Sequence, residues 1–186
     1  MFSNCDDCLS NFCSFSQFCP LPQLTNDNRR ILLIRYKNSN QHTCVDVLKM
    51  LLMMLDVRYS LLDENEKLAD DDVLLIDLQG YSFRHFLNAA SNSKTIFLYF
   101  KYSQETVPIP TRSCHILNSS KIVNSFMSLI RPMLKKEVAD SFQFHSNGYE
   151  NLHKSIPKDV LPLEYGGKIP MDDLHRDWMK VFESKR

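Results

Sequence analysis

The chain has 186 residues, 44% hydrophobic and 24% charged, with Lys+Arg and Asp+Glu balanced at 22 each. That length supports one domain with a real core, or a domain plus a short extension. A net charge of zero leaves no electrostatic footprint for nucleic acid, and the longest apolar run, Met50–Leu55, is far too short to cross a bilayer.

Asp6 and Asp7 stand where a secretory signal needs a basic region, so the protein reads as soluble and cytoplasmic. Residues 1–23 hold Ser, Asn, Cys and Phe without a stable period. They are predicted to form a disordered, Cys-rich extension, with the domain running from Leu24 to the end of the chain, residues 24–186. Cys5, Cys8, Cys13 and Cys19 follow a C-x2-C-x4-C-x5-C spacing that can be read as a zinc site. Structural zinc sites usually separate two close pairs by a longer loop, and here the intervals are short and interleaved with Leu9, Phe12, Phe15 and Phe18. The expectation is therefore no metal and no cofactor.

"RILLIRY" (Arg30–Tyr36) is a short, mostly apolar strand. Thr43 can cap a helix over Val45–Val57, which is apolar around most of its circumference and must be buried on more than one side. "LDENEKLADDD" (Leu62–Asp72) is a polar connection. Its Asp63-x-Asn65 start lacks the glycine of a calcium loop and puts Lys67 at a ligand position. "VLLIDL" (Val73–Leu78) is apolar on both faces, as a central strand of a parallel sheet must be. Ser82–Phe100 reads as helix with a stripe at Ile96, Phe97 and Phe100. "CHILN" (Cys114–Asn118) is a third strand. The next helix is capped at Ser119 or Ser120, carries Val123, Phe126 and Ile130 on one face, and is broken at Pro132, which can start "PMLKKEVAD". "SFQF" (Ser141–Phe144) is a fourth strand, Asn147-Gly148 a turn, and "ENLHKSI" a short helix ending before Pro157. Strands alternating with helices imply an α/β fold with a largely parallel sheet.

The chemistry-bearing patterns exclude most enzymes. Gly80-Tyr81-Ser82-Phe83-Arg84 begins like a nucleophile elbow, but Arg84 occupies the second glycine position. No segment is rich enough in glycine to cradle phosphates, and no two histidines stand at metal-binding helical spacing. His115 within a strand reads as a hydrogen-bonded core residue, and His85 as polar helix surface. Cys44 and Cys114 read as reduced core thiols. A small hydrolase is thus the weakest reading.

"LHKSIPKDVLPLEYGG" (Leu152–Gly167) concentrates Pro157, Pro162, Gly166 and Gly167 in a chain with four glycines. This block closely resembles the end of the CRAL-TRIO lipid-binding domain, in the branch of tocopherol-transfer and retinaldehyde-binding proteins. "RRILLIR", "VLLIDLQGYSFRHF" and "HILNSSKIVNSFMSLIRPML" are similar to further blocks of that family, in its order and spacing. The resemblance implies a CRAL-TRIO-like cage with a mostly parallel sheet as floor, flanking helices as walls, a mobile gate helix over the mouth and a C-terminal helix. It implies non-enzymatic binding and transfer of a small hydrophobic ligand of tocopherol, retinoid or phospholipid type. Leu51, Met54, Ile76, Leu78, Phe97, Cys114, Ile116, Val123, Phe126 and Ile130 are the expected pocket, and Pro157, Pro162, Tyr165, Gly166 and Gly167 a structural latch without chemistry.

Arg112, Arg131, Lys135 and Lys136 are the expected contacts to an anionic headgroup or membrane surface. Pro110, Glu137 and Ser141 occupy positions where that branch tends to be basic, so phosphoinositide recognition is expected to be weak. The helical module that precedes the cage in the family has the Cys-rich segment in its place, so the chain reads as N-terminally truncated. The expected state is a cytoplasmic monomer, transiently peripheral at membranes. The alternative is a truncated, ligand-free interaction or regulatory module.

Overall fold

The computed structural model describes residues 16–36, 43–58, 61, 68–107, 109–146 and 148–184. Cys5, Cys8, Cys13 and the Asp63–Lys67 stretch lie outside them, as does Asn147 of the expected turn. Five strands form one sheet in sequential order: β1 (Ser16–Leu24), β2 (Arg29–Tyr36), β3 (Asp71–Asp77), β4 (Thr111–Leu117) and β5 (Phe142–His145). β2 to β5 run parallel, and β1 pairs antiparallel with β2. Helix α1 (Cys44–Arg58) links β2 to β3. Helices α2 (Phe83–Ser91) and α3 (Ser93–Glu105) link β3 to β4. Helices α4 (Lys121–Ile130) and α5 (Lys136–Asp140) link β4 to β5, and α6 (Glu150–Ser155) and α7 (Met171–Ser184) follow.

Register assigns each side chain to a face, because strand side chains alternate. Leu32, Leu74, Cys114 and Phe142 align across the sheet, and so do Ile34, Ile76, Ile116 and Phe144. Except for Phe144, these side chains line the cavity described below, beneath the helices of the crossovers. The opposite face presents Ile31, Leu33, Leu75 and Leu117, all fully buried with Leu152, Tyr165, Trp178 and Phe182 from the C-terminal segment. Runs apolar on both faces are thus explained by cover on both faces. Local signals set the helix starts. Thr43 Oγ1 accepts from Asp46 N, while the Asp46 carboxylate accepts from Thr43 N at 2.9 Å, a reciprocal cap. At the end of α4, a 3-10 turn at Arg131–Met133 contains Pro132, and helix resumes only at Lys136.

Strand β1 corrects the expected domain boundary. Residues 16–23 are part of the sheet, with Phe18, Cys19 and Leu21 in the core. Phe18 packs edge-to-face on Trp178 of α7 at 6.2 Å, and Gln17 bonds to Asp172. Pro20 and Pro22 hid this strand. They are tolerated because β1 pairs on one side only and its register shifts between Pro20 and Leu24. Burial, with a smaller contribution from Asp177, pushes the Cys19 thiol up to about 12, and its Sγ sits in the core 3.2 Å from Pro20 O and 3.5 Å from Leu174 O. Ser82–Phe100 is likewise interrupted at Asn92, giving α2 and α3.

On the far face of β4, His115 Nδ1 lies 3.0 Å from His145 Nε2, with the rings stacked at 5.2 Å. His115 Nε2 is 3.3 Å from Ser113 Oγ. Burial, reinforced by His145, pushes His115 down to about 4, and burial pushes His145 down as well. The unfolded chain takes these protons near the ordinary value of 6.5 and the folded chain resists them. Stability is therefore intact above about pH 6.5 and falls as pH drops toward about 4. After partial solvent screening the loss is on the order of 2 kcal/mol. Urea titrations across that window are expected to show this acid limb, and His115→Asn with His145→Asn is expected to flatten it. An unchanged limb would assign it to other groups.

Candidate functional site

A cavity of about 660 Å³ lies between the sheet and helices α1 to α5. Leu32, Ile34, Leu74, Ile76, Cys114 and Ile116 form its floor. Val47, Leu48, Leu51 and Met54 of α1, Ile96 and Phe100 of α3, and Val123, Phe126 and Ile130 of α4 form its walls. The volume lies in the range of small-molecule sites, and the lining has their mostly apolar character.

Polar groups sit at the two ends. At the C-terminal ends of the strands, Tyr36, Tyr81 and His85 form an aromatic cluster with Phe126. Tyr81 stacks on His85 at 5.5 Å, meets Tyr36 edge-on at 5.7 Å and Phe126 at 5.8 Å. His85 is buried rather than on the helix surface. Its Nδ1 accepts from Ser82 N at 3.0 Å, so it caps α2 from the third helical position and carries its ring proton on Nε2. The Tyr81 hydroxyl is buried without a partner among the described residues. Burial raises the Tyr36, Tyr81 and Tyr99 phenols well above their ordinary range, so all three are neutral donors. At the N-terminal ends of the strands the lining turns charged: Asp72, Arg112, Glu137 and Asp140, with Thr111 and Ser141.

Nine of the ten expected pocket residues line this cavity: Leu51, Met54, Ile76, Leu78, Cys114, Ile116, Val123, Phe126 and Ile130. Phe97 does not. It is 47% exposed on the outer side of α3, one helical position round from the buried Ile96. The inward face of α3 is Ile96, Tyr99, Phe100 and Ser103, spaced i, i+3, i+4, i+7. The segment is apolar on both sides, so composition could not separate them. Of the four basic residues, Arg112 lines the cavity. Lys135 donates from Nζ to Gln104 O at 3.0 Å, Lys136 lies 3.7 Å from Asp140, and Arg131 is exposed at the 3-10 turn. Asp72 and Arg58 were not anticipated. The signal for Asp72 was its period-two spacing with Leu74, Ile76 and Leu78, hidden by the acidic run before it.

Below the sheet, the segment 156–170 crosses the strand ends. Tyr165 is buried, and its hydroxyl donates to Asp77 Oδ2 at 2.7 Å. Asp77 Oδ1 accepts from Gln79 N and from Asn118 Nδ2, and Arg35 lies 3.8 Å from Oδ2. His153 Nε2 is 2.8 Å from Tyr165 O, and Pro162 bridges to Ile169. Gly166 adopts a φ of +97° at the turn. Asp77 thus ties the end of the central strand to the segment that closes the far face.

A mostly parallel sheet with the crossover helices α1 to α5 over one face, and a mostly apolar cavity between them, defines an α/β cage. The CRAL/TRIO domain model matches residues 14–167, and the chain belongs to that family. It is 27% identical to clavesin-2 of Mus musculus over 156 residues, 83% of this chain and 46% of that protein. It is 29% identical to clavesin-1 of Xenopus laevis over 149 residues, 78% of this chain and 43% of that protein. The chain therefore spans less than half the length of these relatives. Among solved structures, that of Sfh5 has the same fold, with a TM-score of 0.57 at 16% identity over 95% of this chain and 65% of that one.

Proposed function

We propose that this chain binds a small hydrophobic ligand of tocopherol, retinoid or phospholipid type in the cavity and transfers it without chemistry, as in the tocopherol-transfer and retinaldehyde-binding branch. The mostly apolar cavity of about 660 Å³ between sheet and helices carries this reading. Burying about 400 Å² of apolar ligand surface gives on the order of 10 kcal/mol gross, of which association and ordering remove a large part. The lining favours holding over reacting. Burial pushes the Cys44 thiol up to about 11 and raises Cys114 further, so neither is a nucleophile at neutral pH.

Phe126→Asp places a carboxylate in the chamber wall and is expected to abolish binding of a fluorescent lipophile while leaving far-UV circular dichroism largely intact. Full binding by that variant removes α4 from the site. Absence of binding by the unmodified protein, with no lipid co-purifying, leaves the ligand-free interaction module as the reading.

Ligand delivery places the protein in the cytoplasm as a monomer that touches membranes transiently. Arg112, Arg131, Lys135 and Lys136 supply the electrostatic part, at about 1 kcal/mol each before screening, with Glu137 opposing. Phe83 and Leu87, exposed one turn apart on α2, add apolar contact. Among the described residues no helix is long and apolar enough to cross a membrane. Sedimentation with anionic vesicles is expected to give weak binding that falls with salt, weakens in Arg112→Ala with Lys136→Ala, and follows total charge. Tight, salt-resistant binding to one phosphoinositide isomer would contradict this.

A further inference from the structure

Asp72 opens β3 on the cavity face, ahead of Leu74, Ile76 and Leu78, and it is the buried carboxylate of that lining. A carboxylate in an apolar wall requires compensation. Arg58, fully buried at the end of α1, provides it from one side. Its Nε and Nη2 both donate to Oδ1, at 2.8 and 2.6 Å. Arg30, opposite Asp72 in the sheet register, sends its Nη1 to the carbonyls of Leu21 and Pro22 at 3.0 and 3.3 Å. No described residue donates to Asp72 Oδ2. That oxygen is not sealed as Arg58 Nη1 is, so it is the part of Asp72 that meets the chamber. Around the same end, Glu137 and Asp140 line the cavity with Arg112, and Lys136 lies 3.7 Å from Asp140.

We infer that Asp72 is the polar anchor of the chamber and selects an apolar ligand with a hydrogen-bond-donating head, an alcohol or an amine, over the corresponding anion. The donor head meets Oδ2 and completes the hydrogen bonding of a carboxylate whose other oxygen Arg58 already holds. A carboxylate or phosphate head at the same place would meet Asp72, Glu137 and Asp140, where like charges repel and a buried acceptor faces an acceptor. This inference rests on the chamber being a ligand site, and the test separates the two.

Three probes share one tail: a pyrene-labelled dodecanol, its methyl ether and the matching pyrene-labelled dodecanoic acid. Equilibrium binding to the full chain is followed by pyrene emission. The alcohol is expected to bind at least about tenfold more tightly than the ether and than the acid, the factor set by one hydrogen bond to a charged acceptor. The paired variant Arg58→Met with Asp72→Leu removes the ion pair as a unit. It is expected to bind the ether as the unmodified protein does and to lose the preference for the alcohol. Equal affinity for alcohol and ether, or tighter binding of the acid, overturns the anchor while leaving the chamber as a ligand site. An alcohol preference that persists in the paired variant also overturns it. Failure of the unmodified protein to bind any probe overturns the chamber reading and the anchor together. Should the paired variant not fold, the three affinities of the unmodified protein still decide the point.

Discussion

Gly167→Ala is expected to cost more than about 4 kcal/mol, a quarter or more of a total stability of about 5–15 kcal/mol. A Cβ built at Gly167 would lie 1.6 Å from the Leu161 carbonyl oxygen and 2.5 Å from its carbon. These are backbone atoms, so no rotamer change relieves the overlap. The two chain segments must separate, and the bond from Gly167 N to Pro162 O at 2.9 Å is lost with them. Displacement of this turn also pulls Tyr165 from Asp77 at the end of the central strand. Gly148→Ala is the control. Gly148 has φ +67° and open space around it, so the loss there is only the conformational cost of about 1 kcal/mol. Urea unfolding followed by circular dichroism compares the two. A Gly167→Ala protein within about 1 kcal/mol of the unmodified chain would show that the turn is not part of the cooperative unit.

Arg58→Met alone is expected to cost about 3–5 kcal/mol at neutral pH, because it strands the Asp72 carboxylate in an apolar wall. Adding Asp72→Leu should recover most of the loss, since an ion pair removed whole and replaced by apolar groups is often neutral. The sign of the pH dependence follows from Asp72. Burial already raises its pKa in the unmodified protein, with Arg58 opposing, and removing Arg58 raises it further. A carboxyl with a raised folded-state pKa stabilises below its unfolded value and loses that contribution as pH rises. The penalty of Arg58→Met, taken relative to the unmodified chain, should therefore shrink as pH falls from neutral toward the ordinary carboxyl value of 3.8. The His115–His145 acid limb is common to both proteins and cancels in that difference. A penalty independent of pH would show that Asp72 is not the stranded group.

Much of this molecule is readable along the chain. Ile31–Ile34 and Val73–Ile76 are continuous apolar runs of strand length, and in the fold they are strands covered on both faces. Thr43 with Asp46, Pro132 after α4 and Gly166 at its turn act within a few residues, so their geometry is set by local sterics and hydrogen bonds. The blocks that mark the family lie in the same category, and most of the chamber wall follows from them, because side-chain direction on a helix or strand is fixed by its period.

The rest is decided by contacts between distant segments. β1 is a strand because α7 covers it, through Phe18 on Trp178 across 160 residues of chain, and no period in residues 16–24 announces that. Phe97 and Ile96 are equally apolar neighbours, and only the placement of α3 over the sheet turns one inward and the other to solvent. His115 finds His145 because β4 and β5 are parallel neighbours. Asp72 looked like the end of an acidic loop until Arg58, fully buried at the end of α1, was brought against it. Local sequence determines which residues can be buried together. Which groups meet, and whether a buried charge has a partner, depends on the packing of elements against each other, and that is decided only when the whole chain folds.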